Sequence, residues 1–191
     1  MYFDHRQSIE FAIFNQIDTG LNRPIDVRVP VEKRSQGPAP DKYVLGACKE
    51  FVGDINICVQ DEPIGTADAV KVALSNISQE SQALVLYGDV PLIKLETLKK
   101  MLSIDKKSLT ILTTKLEDPT GYGRVKKDDT GFALSIVEEK DATLEEKKIK
   151  EIFTGVLCCN KALLEEAIMQ VGNDNAAGEY YLTDIVSIIS S

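Results

Sequence analysis

The residues best placed to do chemistry are Gly88 and Asp89. They close the apolar run Ala83-Leu84-Val85-Leu86-Tyr87 and lead into Val90-Pro91-Leu92-Ile93. A short apolar run with turn residues at its carboxyl end predicts a fully buried strand of a parallel sheet. Ligands of open α/β sheets sit just outside the carboxyl ends of strands, which puts Asp89 at the mouth of a cleft. A carboxylate there can hold a divalent cation such as Mg²⁺ or accept bonds from sugar hydroxyls. Gly-Asp is also an ordinary strand-end turn pair, and these residues alone leave that reading open.

Other chemistries find little support. His5 is the single histidine, near the start of the chain, so a Ser-His-Asp or Cys-His triad would have to be built on it. The four cysteines, Cys48, Cys58, Cys158 and Cys159, contain no Cys-x-x-Cys pair, which weakens zinc and redox readings. Cys158-Cys159 lies in an apolar run and reads as strand packing. The 191 residues carry a formal charge of −8, the wrong sign for general nucleic-acid binding. No apolar run approaches the roughly 20 residues of a membrane span, and Met1–Arg6 lacks the layout of a signal peptide. The default expectation is a cytoplasmic protein with one domain over residues 1–191.

The elements that would position Asp89 follow from periodicity. Residues 7–20 carry Ile9, Phe11, Ala12, Phe14 and Ile17 near helical spacing, with Gly20 as the stop, and predict a helix. Ile25–Val29 alternates like a strand. Residues 35–40 are a Gly/Pro loop, and Asp41 could cap a helix to about Phe51. Ile55–Val59 is a strand, and Gly65-Thr66 opens a helix. Leu95 to about Leu102 is a short helix, and Leu109–Thr114 a strand rich in β-branched residues. Asp128-Asp129-Thr130-Gly131 predicts a hairpin turn, with Phe132–Glu139 as the returning strand. Thr143-Leu144-Glu145-Glu146 is a capping-box pattern. Ile152–Cys159 is a strand, Asn160 caps a helix, and a last helix covers about Leu182–Ile189. Alternating strands and helices predict an α/β fold with a mainly parallel sheet and flanking helices.

Four segments occur together in order: Leu86-Tyr87-Gly88-Asp89-Val90-Pro91-Leu92, Asp118-Pro119-Thr120-Gly121-Tyr122-Gly123-Arg124, Ile136-Val137-Glu138-Glu139-Lys140-Asp141-Ala142-Thr143 and Gly178-Glu179-Tyr180-Tyr181-Leu182-Thr183-Asp184-Ile185. With Gly65-Thr66-Ala67-Asp68-Ala69, they make residues 55–189 closely resemble the uridyltransferase (pyrophosphorylase) domain of the bifunctional N-acetylglucosamine-1-phosphate uridyltransferases. The resemblance implies a Rossmann-like nucleotidyltransferase fold of the nucleotide-diphospho-sugar transferase type. It also implies the reaction: UTP and N-acetylglucosamine 1-phosphate give UDP-N-acetylglucosamine and pyrophosphate, a cell-wall precursor step. That family's first strand, its Leu-Ala-Ala-Gly-x-Gly-Thr-x-Met loop and a following Lys have no counterpart here. Nor have a distal Asn and the β-helix that carries acetyltransferase activity. The expectation is a domain partial at both ends, with a hydrophobic slot or edge where a central strand belongs, weak or inactive alone, and a candidate homo-oligomer in a full-length form.

Carried over residue by residue, the resemblance makes Asp89 the Mg²⁺ ligand and catalytic residue. Gln60, Gly65 and Thr66 address the uracil. Tyr87 and Gly88 form the cleft floor, Gly123 lets the backbone approach the sugar, and Glu138 and Thr154 meet the sugar. Each also has a plainer reading: a strand end or helix cap for Gln60, Gly65 and Thr66, core packing for Tyr87 and Gly88, a turn for Gly123, and an exposed strand carboxylate for Glu138. Phe153 stands where the family pattern has an Asn whose amide contacts the sugar, which bears on the sugar taken. The alternatives are a catalytically inactive remnant that binds a sugar nucleotide or a partner, and a nucleotidyltransferase for another sugar phosphate.

Overall fold

The computed structural model describes residues 11–15, 26–32, 55–60, 62, 64–75, 77–87, 90, 92–104 and 107–191. Its strands are β1 (Phe11–Asn15), β2 (Asp26–Glu32), β3 (Ile55–Gln60), β4 (Gln82–Tyr87), β5 (Thr110–Lys115), β6 (Arg124–Lys127), β7 (Ala133–Val137) and β8 (Glu151–Asn160). The α-helices are α1 (Thr66–Leu74), α2 (Leu95–Leu102), α3 (Lys161–Ile168) and α4 (Ile185–Ser190), with 3₁₀ turns at Glu146–Lys148 and Leu182–Asp184. The strands form one sheet in the order β3-β2-β1-β4-β8-β6-β7, with β5 paired to β8.

The apolar runs of β4 and β8 have a common cause. Ala83, Val85, Leu157 and Cys159 face a core closed by Val70 and Leu74 of α1, Leu164 of α3 and Ile185 of α4. Leu84, Val156 and Cys158 face the other way, onto Met101 and Leu102 of α2. Both faces of these strands are covered, so alternation between polar and apolar residues disappears. Cys158 and Cys159 sit back to back in the two layers, and burial pushes both thiols up to about 12. They pack; neither is a thiolate at neutral pH.

Three expectations are corrected. Residues 11–15 form a strand, where the spacing over 7–20 predicts a helix. Phe11-Ala12-Ile13-Phe14 is a short, unbroken apolar run of aromatic and β-branched residues, for which periodicity alone does not separate helix from strand. β1 lies antiparallel between β2 and β4, pairing Ile13 with Arg28 on one side and with Val85 on the other. The slot expected at the centre of the sheet is therefore filled from within this chain. The sheet is also mixed. β2 and β3 pair in parallel, whereas β1·β2, β1·β4, β4·β8, β5·β8, β6·β7 and β6·β8 pair antiparallel. Direct antiparallel neighbours need no crossover helix, so the alternation of strands and helices in sequence overstated the parallel content.

The second half follows its local signals closely. Asp128 Oδ1 accepts from the amides of Thr130 and Phe132, both at 2.9 Å, and closes the β6–β7 hairpin. Thr143 and Glu146 form the reciprocal capping pair: Thr143 N donates to Glu146 Oε2 at 3.0 Å and Glu146 N to Thr143 Oγ1 at 3.2 Å. Asn160 Oδ1 accepts from Ala162 N at 2.9 Å and starts α3. The helix expected from Asp41, the loop at 35–40, His5 and Cys48 lie outside the described residues.

Candidate functional site

Strand β4 ends at Tyr87, and Val90 N donates to Tyr87 O at 3.2 Å. Gly88 and Asp89 lie outside the described residues, so the site is built from what surrounds them. Tyr87 meets Phe153 edge-on, with ring centroids 6.0 Å apart and planes at 83°, a favourable aromatic geometry. Beneath the ring is Gly155, at φ +81°. A Cβ there would stand 2.5 Å from Tyr87 Cγ, so only glycine admits the ring. Tyr87 is thus fixed by β8.

Phe153 leads to the residues expected to meet the sugar. Its amide donates to Gly123 O at 3.1 Å. Gly123 in turn lies over β7: a Cβ on it would come within 2.8 Å of Ile136 Cγ2 and 3.4 Å of Glu138 Oε2. Gly123 is packed against the Ile136 and Glu138 side chains, which leave no room for a side chain of its own. The turn before Gly123 is held twice. Tyr122 N donates to Pro119 O at 3.1 Å, with Gly121 at φ +89° as a type II turn requires. Arg124, 2 % exposed, donates to Tyr122 O and pairs with Glu139 Oε2 at 2.6 Å. Glu139 Oε2 also accepts from Gly121 N at 3.3 Å. Arg124 Nε is buried with no hydrogen-bond partner among the described residues.

Glu138 Oε1 accepts from Thr183 Oγ1 at 2.8 Å. Burial pushes its carboxyl up, the Thr183 bond pulls it back, and the carboxylates of Asp184 and Asp141 push it further. Asp184 is raised by burial and then by Asp141. The Tyr181 phenol is pushed up to about 12, first by burial and then by the acids around it. This wall is acidic and partly desolvated, suited to hydroxyl and amide donors and hostile to phosphate. Thr154 Oγ1 donates to Leu112 O at 2.9 Å, which engages its proton within the sheet.

On the other side, Gln60 ends β3 and is 4 % exposed, buried where a solvent-facing strand end was the plainer alternative. Its Nε2 donates to Asp68 Oδ2 at 2.8 Å and, more weakly, to Gly65 O at 3.4 Å. Gly65 is the N-cap of α1, at φ +138°. A Cβ on it would collide with the Tyr180 carbonyl oxygen and stand 2.5 Å from Tyr180 N. Thr66 is the first helical residue, and its Oγ1 accepts from Leu182 N at 2.8 Å. Ala67 N donates to Tyr180 O and Tyr180 N to Ile64 O, both at 2.9 Å.

The structure therefore brings Tyr87, Gly123 and Glu138 into one chain of contacts, and Gln60, Gly65 and Thr66 into another. Segment Tyr180–Thr183 touches both. In the sequence that segment carries part of the family resemblance and no role of its own. Thr183 and Glu138 are 45 residues apart in sequence, and nothing in the local pattern of either announces the other. A cavity of about 200 Å³ lies beside α1, lined by Asp68, Lys71, Tyr180, Ile64, Ile168 and Met169 among others. Among the described residues no helix is long and apolar enough to cross a membrane.

Residues 15–189 match the family model described as nucleotidyl transferase. The chain is 47% identical over 135 residues to a Bifunctional protein GlmU of Dechloromonas aromatica (strain RCB), covering 71% of this chain and 30% of that protein. It is 48% identical over 144 residues to a Bifunctional protein GlmU of Clostridioides difficile (strain 630), covering 74% and 31%. The chain thus spans less than a third of the length of these curated relatives. A solved structure of UDP-glucose pyrophosphorylase complexed with UDP-glucose superposes with TM-score 0.60 at 15% identity, over 78% of this chain and 60% of that one. HddC from Yersinia pseudotuberculosis superposes with TM-score 0.52 at 20% identity, over 73% and 57%. At these identities the two structures speak for the fold.

Proposed function

Since the chain belongs to the nucleotidyl transferase family, we propose that it serves transfer of a uridylyl group from UTP to N-acetylglucosamine 1-phosphate. A phosphate oxygen of the sugar phosphate attacks the α-phosphorus of UTP. The bond from that phosphorus to the oxygen bridging to the β-phosphate breaks, and pyrophosphate leaves with the electron pair. Both phosphates react as anions, so no side chain need take a proton. The work is alignment and charge neutralisation, which suits a site without a nucleophile or triad.

The observation that carries this reading is the pair of unlike walls joined by Tyr180–Thr183. The Glu138 wall is acidic and offers acceptors, as sugar hydroxyls and an acetamido N–H require. The Gln60 wall offers a buried amide at a helix start, as a base edge requires. Gly65 and Thr66 would add backbone and hydroxyl contacts to the base. Tyr87 and Gly88 would floor the cleft, with Gly123 and Thr154 beside the sugar.

Mg²⁺ takes one or two carboxylates and completes its shell with phosphate oxygens and water. Asp89, following β4, is a donor of that chemistry. Among the described residues no cluster of three or more His, Cys, Asp or Glu could hold a metal without it. Asp89 would hold the ion, which would supply charge neutralisation on the transferring phosphates.

A second reading is favoured by one observation. Strand β1 runs antiparallel to β4, Phe11 beside Tyr87 and Asn15 beside Ala83, so its carboxyl end stands at the far end of the sheet from Tyr87 and brings no phosphate-binding turn to the cleft. On that reading this chain binds a sugar nucleotide with little turnover, and UDP-N-acetylglucosamine binds better than UTP, which leans more on a phosphate cradle. Calorimetric titration of UDP-N-acetylglucosamine and UTP with Mg²⁺, beside a coupled pyrophosphate assay, tests both. Binding of the sugar nucleotide that weakens in Asp89→Asn is the expected result. Equal affinity for ADP-glucose, or no response to Asp89→Asn and to Mg²⁺, would overturn the proposal. Turnover near ordinary enzyme rates, about 1–10³ per second, would remove the second reading.

A further inference from the structure

The hydrogen bond between Gln60 and Asp68 has a consequence for base choice. A glutamine amide has one donor end and one acceptor end, and its neighbours decide which way it points. Among the described residues Gln60 Nε2 donates to two acceptors, Asp68 Oδ2 at 2.8 Å and Gly65 O at 3.4 Å. A carboxylate and a carbonyl only accept. Turning the amide over would set Gln60 Oε1 against Asp68 Oδ2, oxygen against oxygen. With Gln60 buried, water is poorly placed to relieve that clash. Asp68 therefore locks Nε2 inward and leaves Oε1, an acceptor, as the end free to address a ligand.

We propose that Asp68 is a specificity-determining residue: by fixing the Gln60 amide it selects a base that presents a ring N–H, uracil, over one that presents a ring nitrogen lone pair in the same pose, cytosine. This deepens the functional reading above and rests on its placement of the base at Gln60. Uracil N3–H donates to Oε1. Cytosine N3, seated in the same way, meets Oε1 lone pair to lone pair. Asp68 itself stays away from the base and acts through Gln60. An acid in the first turn of α1 would also favour the helix dipole. That role concerns stability and has no effect on which base is bound, so the two roles separate by experiment.

The test is titration of uridine 5′-diphosphate and cytidine 5′-diphosphate into the wild type, Asp68→Asn and Asp68→Glu, with melting temperatures measured alongside. Asn can present either end of its own amide, so only the longer contact with the Gly65 carbonyl still holds Nε2 inward; Glu keeps an acceptor-only group. Asp68 lines the open cavity beside α1, which leaves room for both replacements. The wild type should prefer the uridine nucleotide. Asp68→Asn should lower the ratio of affinities about ten-fold, the scale of one correctly oriented hydrogen bond, and Asp68→Glu should restore most of it. A ratio unchanged within about two-fold in Asp68→Asn, or absence of a preference in the wild type, overturns the proposal while leaving the functional reading in place. Failure of the wild type to bind either nucleotide or UDP-N-acetylglucosamine removes the functional reading, and the role of Asp68 with it.

Discussion

Replacing Glu138 by Gln should move stability and ligand binding in opposite directions. The wild-type carboxyl is raised first by burial, with Asp184 and Asp141 adding repulsion, against the opposing bond from Thr183. A carboxyl whose pKa is higher folded than unfolded binds more protons in the native state. Its contribution is therefore most favourable below the unfolded value, near 4.5. It is lost as pH rises through the raised folded value. At neutral pH the ionised Glu138 is a liability to the fold. Gln keeps the shape and still accepts from Thr183 Oγ1 through its carbonyl oxygen, so the 2.8 Å bond survives while the charge goes.

The melting temperature of Glu138→Gln should consequently exceed that of the wild type at pH 7, and the difference should shrink as pH falls toward 4.5. Binding should go the other way. A hydrogen bond to a charged acceptor is worth about 1.5–3 kcal/mol, so loss of one sugar contact weakens UDP-N-acetylglucosamine by roughly 10- to 150-fold. UDP without the sugar should bind the variant and the wild type alike. Differential scanning calorimetry from pH 4 to 8, with isothermal titration of the two ligands, reads both effects. A variant less stable than the wild type at pH 7 would refute the electrostatic account of this wall. Unchanged affinity for the sugar nucleotide would refute its assignment to the sugar.

Two further predictions test the supports of the site. Arg124→Lys removes the fork that joins Tyr122 O and Glu139; it should cost about 1–3 kcal/mol and raise amide hydrogen exchange at Gly121 and Tyr122, and unchanged exchange would deny the tether. Gly155→Ala forces a side chain into the left-handed region and against Tyr87; it should cost about 2–5 kcal/mol, or roughly 4–20 °C in melting temperature, and a melting temperature within a degree of the wild type would show that β8 yields there.

What could be read from the sequence was whatever is written locally. Asn160, Asp128 and the Thr143/Glu146 pair each act on groups within four residues, and each appears as expected. The run in β4 announced a strand covered on both faces, and that in β8 a strand with packed cysteines. Residues 11–15 failed because five apolar-rich residues satisfy either period, and only pairing with β2 and β4 decides between them. The sheet's mixed sense failed for a related reason, since strand direction is set by which neighbours meet. At the site, Gly65 was expected to meet a base and Gly123 a sugar, and neither expectation foresaw the protein groups packed on them: the Tyr180 backbone on Gly65, and Ile136 with Glu138 on Gly123. Arg124 carried no signal at all, because a charged residue beside a loop ordinarily reads as solvated, and its burial comes only from the fold.

The segment Tyr180–Thr183 explains why residues so distant in sequence behave as one site. Its first residue is fastened by backbone bonds to Ile64 and Ala67, on either side of Gly65. Its third is fastened to the Thr66 hydroxyl, and its fourth donates to Glu138. Four consecutive residues thus hold the start of α1 at one end and the end of β7 at the other. A displacement of one wall cannot be absorbed within a flexible loop, because every residue of the bridge but Tyr181 has a hydrogen bond to one wall or the other. Gly65 is the point where this bridge is tightest, since even a methyl group would strike the Tyr180 backbone. Such a bridge preorganises both walls at a fixed separation, so a ligand that spans them gives up less ordering free energy than two separate ligands would. On the proposed reading, that ligand is a two-headed molecule, a base and a sugar joined by phosphates.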